Sequence, residues 1–392
     1  MTPYADFLFF GVALYWVIPA IVLGLMGRLT WHWVLFSTLA MGILQMALPT
    51  FVAGGNWWVP VAAAASWTVW QWGVATTYLR VRQRAGARTW TVWTAVIATL
   101  IPLLALKFAP ATRLGSVMHI VGLSYVSFRA VDVVLGVYDG LITGLQLRSY
   151  LAYVLFFPTL SAGPIDRYRR FVKDLDQRHT RSEYLQLLDE AVHAFFMGVL
   201  YKFVLAVIVR RWWLDPVTTA HGWRATFSYM YAYSAYLFFD FAGYSAFAVA
   251  FSKVFAIRSP ENFNQPWRSR DLAEFWSRWH ISLSTFLRDQ VYMRFLLAAR
   301  KRGWFAGKHS ASAAGLLVSF GLMGVWHGAE WHYVVYGLFH GVLLIALEGW
   351  RRRKPARRGA AAASYTWRDV PATLLTLQLV CVSFLIFSGR VF

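Results

Sequence analysis

Cysteine is nearly absent from this chain, since Cys381 is the only one in 392 residues. A single thiol cannot form an intramolecular disulfide and cannot build a thiolate metal cluster. It also gives little reason to expect a cysteine nucleophile. Disulfide-stapled folds and thiolate metal sites are therefore excluded.

Charged residues are scarce as well, at 14% of the sequence, whereas hydrophobic residues reach 58%. Soluble proteins carry about a quarter charged residues, so lipid is the expected surrounding of most of this chain. A helix needs roughly 20 apolar residues to cross a bilayer. Stretches that meet this requirement lie at residues 7–26, 31–52, 57–79, 90–108, 187–209, 227–255, 331–349 and 371–387.

Other apolar stretches are short or carry charges, and we interpret them as tilted, broken or re-entrant segments. They lie at residues 115–136, 150–163 and 312–325. Together with the longer stretches they predict about 8 to 11 crossings. The fold class that we predict is all-α, a polytopic transmembrane helical bundle with re-entrant and amphipathic helices around a central funnel.

No linker is long enough to separate soluble domains, so we predict one membrane domain over residues 1–392. Within it we expect N-terminal spans at 1–110, the funnel and catalytic core at 115–349, and a final span at 369–388.

Acidic residues are outnumbered by basic ones, 18 against 38, which gives a formal net charge of +20. In a soluble protein this would suggest nucleic acid, but here the basic residues form blocks between apolar spans, at 80–88, 167–181, 268–302 and 351–358. Such blocks mark cytoplasmic loops in membrane proteins. We predict a multi-pass protein of the cell membrane with these blocks in the cytoplasm and no nucleic-acid partner; binding of a polyanion is the lesser alternative.

Charged residues inside the apolar stretches need a separate explanation. Arg129 and Asp132 are three residues apart, so mutual neutralisation on one helix is expected. Asp240 stands alone in a long apolar stretch. A carboxylate in that position indicates either a functional site or a buried structural hydrogen bond, and both interpretations stay open.

Residues 271–302 have the pattern of an amphipathic helix. Apolar residues recur at three- and four-residue steps from Leu272 to Leu287, while Glu274 and Arg278 form an i,i+4 pair on the other side. The segment is too charged to span, so we expect it at the cytoplasmic surface. His280 would lie on the flank of its buried stripe.

Residues 312–348 predict a hairpin whose polar break is the segment 326–332, WHGAEWH. A helix from Ser312 to His327 would rise about 24 Å, less than the roughly 30 Å of the hydrocarbon core. We therefore predict that His327 lies within the membrane, toward its outer half. Gly324 and Gly328 would let another backbone or a substrate approach closely.

A histidine at that depth is costly unless it faces protein or a water-filled cavity. His327 could be a structural histidine that is hydrogen-bonded between helices. A metal site with His332 and His340 is a weaker interpretation, because the spacing matches no known short ligand pattern. The sequence has no GxSxG elbow for a serine nucleophile. What remains is a histidine that takes the proton of a hydroxyl as the hydroxyl attacks an activated acyl group.

Four motifs resemble the signature blocks of membrane-bound O-acyltransferases, namely residues 261–267 (ENFNQPW), 274–284 (EFWSRWHISLS), 288–289 (RD) and 324–328 (GVWHG). Three further motifs are similar to the D-alanyl transfer branch of that family, at 137–141 (VYDGL), 156–171 (FFPTLSAGPIDRYRRF) and 238–245 (FFDFAGYS). The likeness runs from about residue 115 to the closing residues 387–389.

This resemblance implies that His327 is the catalytic histidine and that His280 is a second functional histidine at the cytoplasmic end of a funnel. It implies a donor acyl group, D-alanine in this branch, carried as a phosphopantetheine thioester on an acidic carrier protein. We expect no bound cofactor and no metal site. The acceptor would be a hydroxyl of an envelope polymer such as teichoic acid, or a small membrane subunit. The candidate substrate-binding residues are Asn262, Asn264, Arg278, Trp279 and Asp240.

The carrier has independent support in the residues after His280. Tyr292, Met293, Leu296 and Leu297 are apolar positions among several arginines and Lys301. Apolar residues rimmed by positive charge fit an acidic helical partner, and an interfacial helix on anionic lipid is the alternative. A transporter or flippase is the rival function, because intramembrane Asp240, Arg129 and His327 could serve transport.

Overall fold

The computed structural model describes residues 3–108, 122–353 and 365–392, and the side chains of 106–108 are not among those described. The described residues form helices and no strand; Phe263 and Trp279 form an isolated β-bridge. The all-α prediction is therefore confirmed. The first part of the predicted segment 115–136 and the second part of the basic block 351–358 lie outside the described residues.

Backbone contacts divide the chain into two compact units. Unit 1 comprises residues 1–199 and 243–260, and unit 2 comprises residues 200–242 and 261–392. The helices of the first half are α1 (Phe7–Leu25), α2 (Trp31–Val52), α3 (Trp58–Ala85), α4 (Thr89–Phe108), α5 (Leu123–Tyr138), α6 (Leu147–Leu155) and α7 (Tyr168–Asp176).

Two long helices follow and continue from one unit into the other. They are α8 (Arg181–Thr218), which contains π-helical turns at Val199–Leu205 and Arg210–Leu214, and α9 (Trp223–Val254). The remaining helices are α10 (Leu272–Arg278), α11 (Ile281–Leu287), α12 (Met293–Arg302), α13 (Lys308–His327), α14 (Trp331–Arg353) and α15 (Val370–Phe387).

Seven of the described helical segments are long and apolar enough to cross a membrane: α1, α2, α8, α9, α13, α14 and Trp367–Phe387. The spans predicted at 57–79 and 90–108 form α3 and α4, and α4 counts as a shorter apolar helix over Thr89–Ala105. These lengths and compositions confirm a multi-pass membrane protein.

Unit 1 contains the broken segment that the sequence predicted at 150–163. Here α6 ends at Leu155 and a 3-10 turn covers Phe157–Thr159. Arg129 donates to the carbonyls of Tyr153 and Val154, each at 3.1 Å, and also to Thr159. A helix end leaves its last carbonyls without intrahelical partners, and lipid offers no water to replace them. The buried guanidinium thus satisfies the backbone where the helix breaks.

Asp132, three residues further along α5, also has partners outside its own helix. It accepts from Arg167 at 2.8 Å and from the backbone N–H of Tyr168 at 3.0 Å. Arg129 and Asp132 together therefore tie α5 to the chain from Tyr153 to Tyr168, and the mutual neutralisation that their spacing predicted stays a prediction.

In unit 2, α13 and α14 form the predicted hairpin, and glycines bring its two backbones close together. A methyl group placed on Gly324 would lie 2.3 Å from the Tyr333 carbonyl oxygen, and one on Gly337 would lie 2.2 Å from that of Phe320. Small residues at such positions permit the close helix packing that is common in membranes. The prediction of a close approach at Gly324 is confirmed.

Gly337→Ala should therefore force the two helices of the hairpin apart, because the added carbon meets a backbone atom that cannot rotate away. We expect a loss of about 1–3 kcal/mol of stability, seen as a lower unfolding temperature in detergent. Gly349 lies on the same helix with nothing within 4 Å of its added carbon, so Gly349→Ala is the matched control. Equal unfolding temperatures for both variants would contradict this packing.

Candidate active site

Two of the signature motifs are hydrogen-bonded to each other. The Asn264 N–H donates to the Arg278 carbonyl at 2.9 Å, and the Ile281 N–H donates to the Asn262 carbonyl at 3.0 Å. The Asn262 side-chain oxygen also accepts from the Ser282 hydroxyl at 2.6 Å. The segment 262–264 thus runs antiparallel beside 278–281, with Phe263 opposite Trp279.

This pairing interrupts the amphipathic segment. The prediction of one continuous helix over 271–302 is wrong, because α10 ends at Arg278 and α11 begins at Ile281. Trp279 is extended, and His280 has a φ of 45° in the left-handed region. Residues other than glycine rarely occupy that region, and those that do cluster at functional sites.

His280 is buried, with 4% of its surface exposed. The Phe241 ring lies 4.8 Å from the imidazole and the Trp326 ring lies 6.4 Å from it. Its Nδ1 has no hydrogen-bond partner among the described residues. Burial lowers the pKa of His280 to about 3, so the side chain is neutral at physiological pH.

His327 ends α13 and is only half-buried. Four aromatic rings surround its imidazole: Trp326 at 4.6 Å, Phe387 at 4.9 Å, Tyr336 at 5.9 Å and Tyr333 at 6.2 Å. The rings restrict the orientation of the imidazole while its exposed part stays open to a substrate. A neutral histidine held in this way can accept a proton from a hydroxyl.

The Trp326 indole connects the two candidate histidines, because it contacts both imidazoles from its place beside His327. The sequence had assigned the two histidines to separate segments. The fold brings both into one aromatic cluster of unit 2.

His340 is also a buried histidine, and the sequence weighed it only as a metal ligand. The Trp276 Nε1–H donates to its Nδ1 at 3.3 Å, and its ring lies 5.0 Å from Tyr336. Within the described ranges no group of three His, Cys, Asp or Glu side chains could hold a metal ion. The four-residue spacing of His332, Tyr336 and His340 on α14 could have predicted that His340 packs beside Tyr336 on one face of the helix.

A cavity of about 540 Å³ lies in unit 2 between α10–α11 and the hairpin. Its lining is mostly apolar, and charged residues occur only at Arg288, Glu348 and Arg351. Known ligand pockets have this size and this mixture of apolar walls with few polar groups. The lining consists of Ala273, Trp276, Ser277, Ile281, Ser284, Thr285, Leu287, Arg288, Tyr292, Leu316, Ser319, Phe320, Met323, Leu344, Leu347, Glu348 and Arg351.

Four of the predicted substrate-binding residues lie behind the wall of this cavity. Asn262, Asn264, Arg278 and Trp279 are neighbours of its wall but do not line it. The Arg278 guanidinium donates to Glu274 at 3.0 Å and to the Asn264 carbonyl at 3.2 Å. These four residues hold the backbone pairing that carries the cavity wall.

Asp240 is paired, because Lys202 lies 2.5 Å from its carboxylate inside the membrane-spanning helices. Lys202 belongs to the first π-helical turn of α8, and such turns occur frequently at functional sites. The sequence analysis missed this partner, since the two residues are far apart in the chain.

The predicted carrier-binding residues divide into two groups. Met293 and Leu297 are 45% and 64% exposed, one helical turn apart on α12. Leu296 and Tyr292 are half-buried, and the Tyr292 hydroxyl is 2.9 Å from that of Ser312. Tyr292 also lines the cavity, so the exposed apolar pair lies directly beside the cavity wall.

Comparison with known proteins shows the family of this chain. Residues 28–357 match the model of the membrane-bound O-acyltransferase family. The chain is 38% identical to the teichoic acid D-alanyltransferase of Bacillus subtilis, covering 100% of this chain and 99% of that one. It is 35% identical to the enzyme of the same name from Lacticaseibacillus rhamnosus, over 99% of this chain and 97% of that one.

A more distant relative shares only part of its length. The probable alginate O-acetylase of Azotobacter vinelandii is 35% identical over 57% of this chain and 43% of that protein. All three relatives are acyltransferases by name, and none is a transporter. The chain belongs to the membrane-bound O-acyltransferase family and is a multi-pass O-acyltransferase of the membrane.

Proposed function

We propose that the chain transfers D-alanine from a carrier-bound phosphopantetheine thioester to a hydroxyl of teichoic acid on the other side of the membrane. The observation that carries this proposal is the half-exposed imidazole of His327 at one end of α13, with the cavity running along this helix as far as Met323 and the exposed apolar pair beside the cavity wall. The full-length likeness to two teichoic acid D-alanyltransferases supports the donor and the acceptor.

The orientation follows from charge. Arg300, Lys301 and Arg302 precede α13, and Arg351 to Arg353 end α14. Positive residues of this kind favour the cytoplasmic side. A 20-residue helix rises about 30 Å, so His327 lies a full hydrocarbon thickness away from Lys308, toward the outer face.

His327 acts as the general base in the proposed reaction. The imidazole accepts the proton of the acceptor hydroxyl as its oxygen attacks the thioester carbonyl. The resulting tetrahedral intermediate collapses, the carbon–sulfur bond breaks, and the leaving thiolate takes up the proton. The products are a D-alanyl ester and the free thiol of the carrier, and no metal or bound cofactor takes part.

The donor reaches this base from the cytoplasm. An acidic carrier protein docks on Met293 and Leu297, with the surrounding arginines steering its approach. Its phosphopantetheine arm enters the cavity and runs along α13 from Leu316 to Met323, one helical turn before His327. His280, Trp279, Asn262, Asn264 and Arg278 belong to the paired segments that support the wall of this path.

His327→Gln and His327→Ala should each reduce acyl transfer by about 10²–10⁴-fold, the usual contribution of a general base, because an amide or a methyl group cannot accept the proton. Alanine esters on the envelope polymer, quantified by mass spectrometry, provide the measurement. His309 lies exposed on the first turn of the same helix, so His309→Gln is the control and should be fully active. Wild-type ester content with a normal level of His327→Gln protein would overturn the mechanism.

Leu297→Ala and Met293→Ala should each weaken carrier binding by about 1–2 kcal/mol, a factor of roughly 5 to 30, mainly by faster dissociation. Arg300→Glu should slow association instead and reduce its dependence on salt. Surface plasmon resonance with the phosphopantetheinylated carrier separates the two effects. Leu322 on α13 is 49% exposed, so Leu322→Ala is the control for apolar exposure alone. If all variants bound like the control, the helix would be a lipid anchor.

A further inference from the structure

Several chain segments of unit 2 meet at the end that carries His327. The guanidinium of Arg390 donates to the carbonyls of Val217, Thr218 and Ala220, where α8 ends, and lies 4.6 Å over the Tyr229 ring of α9. Arg390 lies three residues after the end of α15 at Phe387. The ends of α8 and α15 and the beginning of α9 are thereby fixed to one another.

The same end carries the turn that follows His327. The Phe392 ring lies 3.9 Å from that of Trp331, and the Phe387 ring lies 4.9 Å from the His327 imidazole. Residues 387–392 therefore link the end of α8 and the start of α9 to His327 and the turn that follows it.

The opposite end of unit 2 holds the basic residues at 300–302, 308 and 351–353. Arg351 forms an ion pair with Asp271 there, and Asp369 at the start of α15 is close enough to Arg270 to interact electrostatically. Helices of 18 to 23 residues separate the two ends, about 27–34 Å.

The His327 end nevertheless has its own group of cations. Arg210, Arg211 and Arg224 are exposed, and Trp212 and Trp223 beside them are 81% and 75% exposed. We call these five residues the Arg–Trp surface. Asp215 is an acidic neighbour, 3.7 Å from Arg210. The positive-inside rule places basic residues on one side of the membrane and accounts for those at the other end of unit 2. It therefore does not account for the arginines of the Arg–Trp surface.

The chemistry of the surface indicates what it binds. Its cations are all arginine, and the described lysines of unit 2 lie elsewhere: Lys301 and Lys308 at the other end and Lys202 against Asp240. Arginine binds phosphate through a planar fork with two parallel hydrogen bonds, whereas lysine offers a point charge. The Arg224 guanidinium already lies 5.2 Å over the Trp223 ring, which holds the fork in place for an anion.

We propose that the Arg–Trp surface binds the acceptor as an anionic phosphodiester polymer and holds its hydroxyls near His327. The inference rests on the proposed function and adds the acceptor-binding site to it. Several weak phosphate contacts along one chain raise the local concentration of the next hydroxyl after each transfer. The two exposed tryptophans form the apolar border of this surface.

The test is direct binding of fluorescent polyglycerol phosphate to the full-length protein in nanodiscs of zwitterionic lipid. Arg211→Gln with Arg224→Gln should weaken binding by about tenfold or more and reduce its dependence on salt, because fewer counterions are displaced. Arg368 is the matched control: it lies 5.5 Å over the Trp367 ring, which is 78% exposed, but precedes α15 at the opposite end. Arg368→Gln should bind like wild type.

Other outcomes identify other ligands. If the double variant binds the polymer like Arg368→Gln, the proposal is overturned. It is also overturned if the variant loses only its association with anionic vesicles, since the surface is then a lipid contact, or if alginate competes as well as the phosphate polymer, since the site then reads charge alone.

The result is separable from the mechanism at His327. The His327→Gln variant should bind the polymer as tightly as wild type, because the base lies beside the Arg–Trp surface and not in it. If this variant transfers alanine normally while polymer binding still depends on Arg211 and Arg224, the proposed mechanism is wrong and the binding site stands. If His327→Gln is inactive and the double variant binds normally, the binding site alone is wrong.

Discussion

The site depends on the antiparallel pairing of residues 262–264 with 278–281. If a continuous helix ran through residues 278–281, the Arg278 carbonyl and the Ile281 N–H would form intrahelical hydrogen bonds instead. His280 would then lie on the flank of that helix. Left-handed backbone costs a residue such as His280 about 1–2 kcal/mol. The hydrogen bonds from Asn264, Ile281 and Ser282 each contribute about 1 kcal/mol net, which is enough to offset that cost. The break turns His280 inward toward Trp326, and the helices on both sides of it, α10 and α11, line the cavity.

The lipid surroundings impose a second constraint, because charge and unpaired backbone are costly there. Arg129 meets it by donating to the carbonyls of a broken helix, and Lys202 meets it by pairing with Asp240. Both solutions also fix irregular backbone in place. The polar groups that remain partly exposed, such as His327, are then the ones that can act on a substrate.

Much of the fold could be predicted because hydropathy is a local property. The span predicted at 31–52 is α2 (Trp31–Val52), and the hairpin around His327 forms as expected. The break at His280 could not be predicted, since the apolar period continues through it and the competing partner, Asn262, is distant in sequence. The pairing of Lys202 with Asp240 and the hydrogen bond from Trp276 to His340 were missed for the same reason. The central funnel stays a prediction, because the described cavity belongs to one unit.

Vectorial transfer is the central claim, and one measurement tests it directly. The protein is reconstituted in sealed liposomes, radioactive D-alanyl carrier is added only outside, and the polymer acceptor is placed either only inside or only outside. Molecules whose docking helix faces outward should label the enclosed polymer, and polymer added outside should stay unlabelled. Labelling only when carrier and polymer share the same compartment would contradict the account.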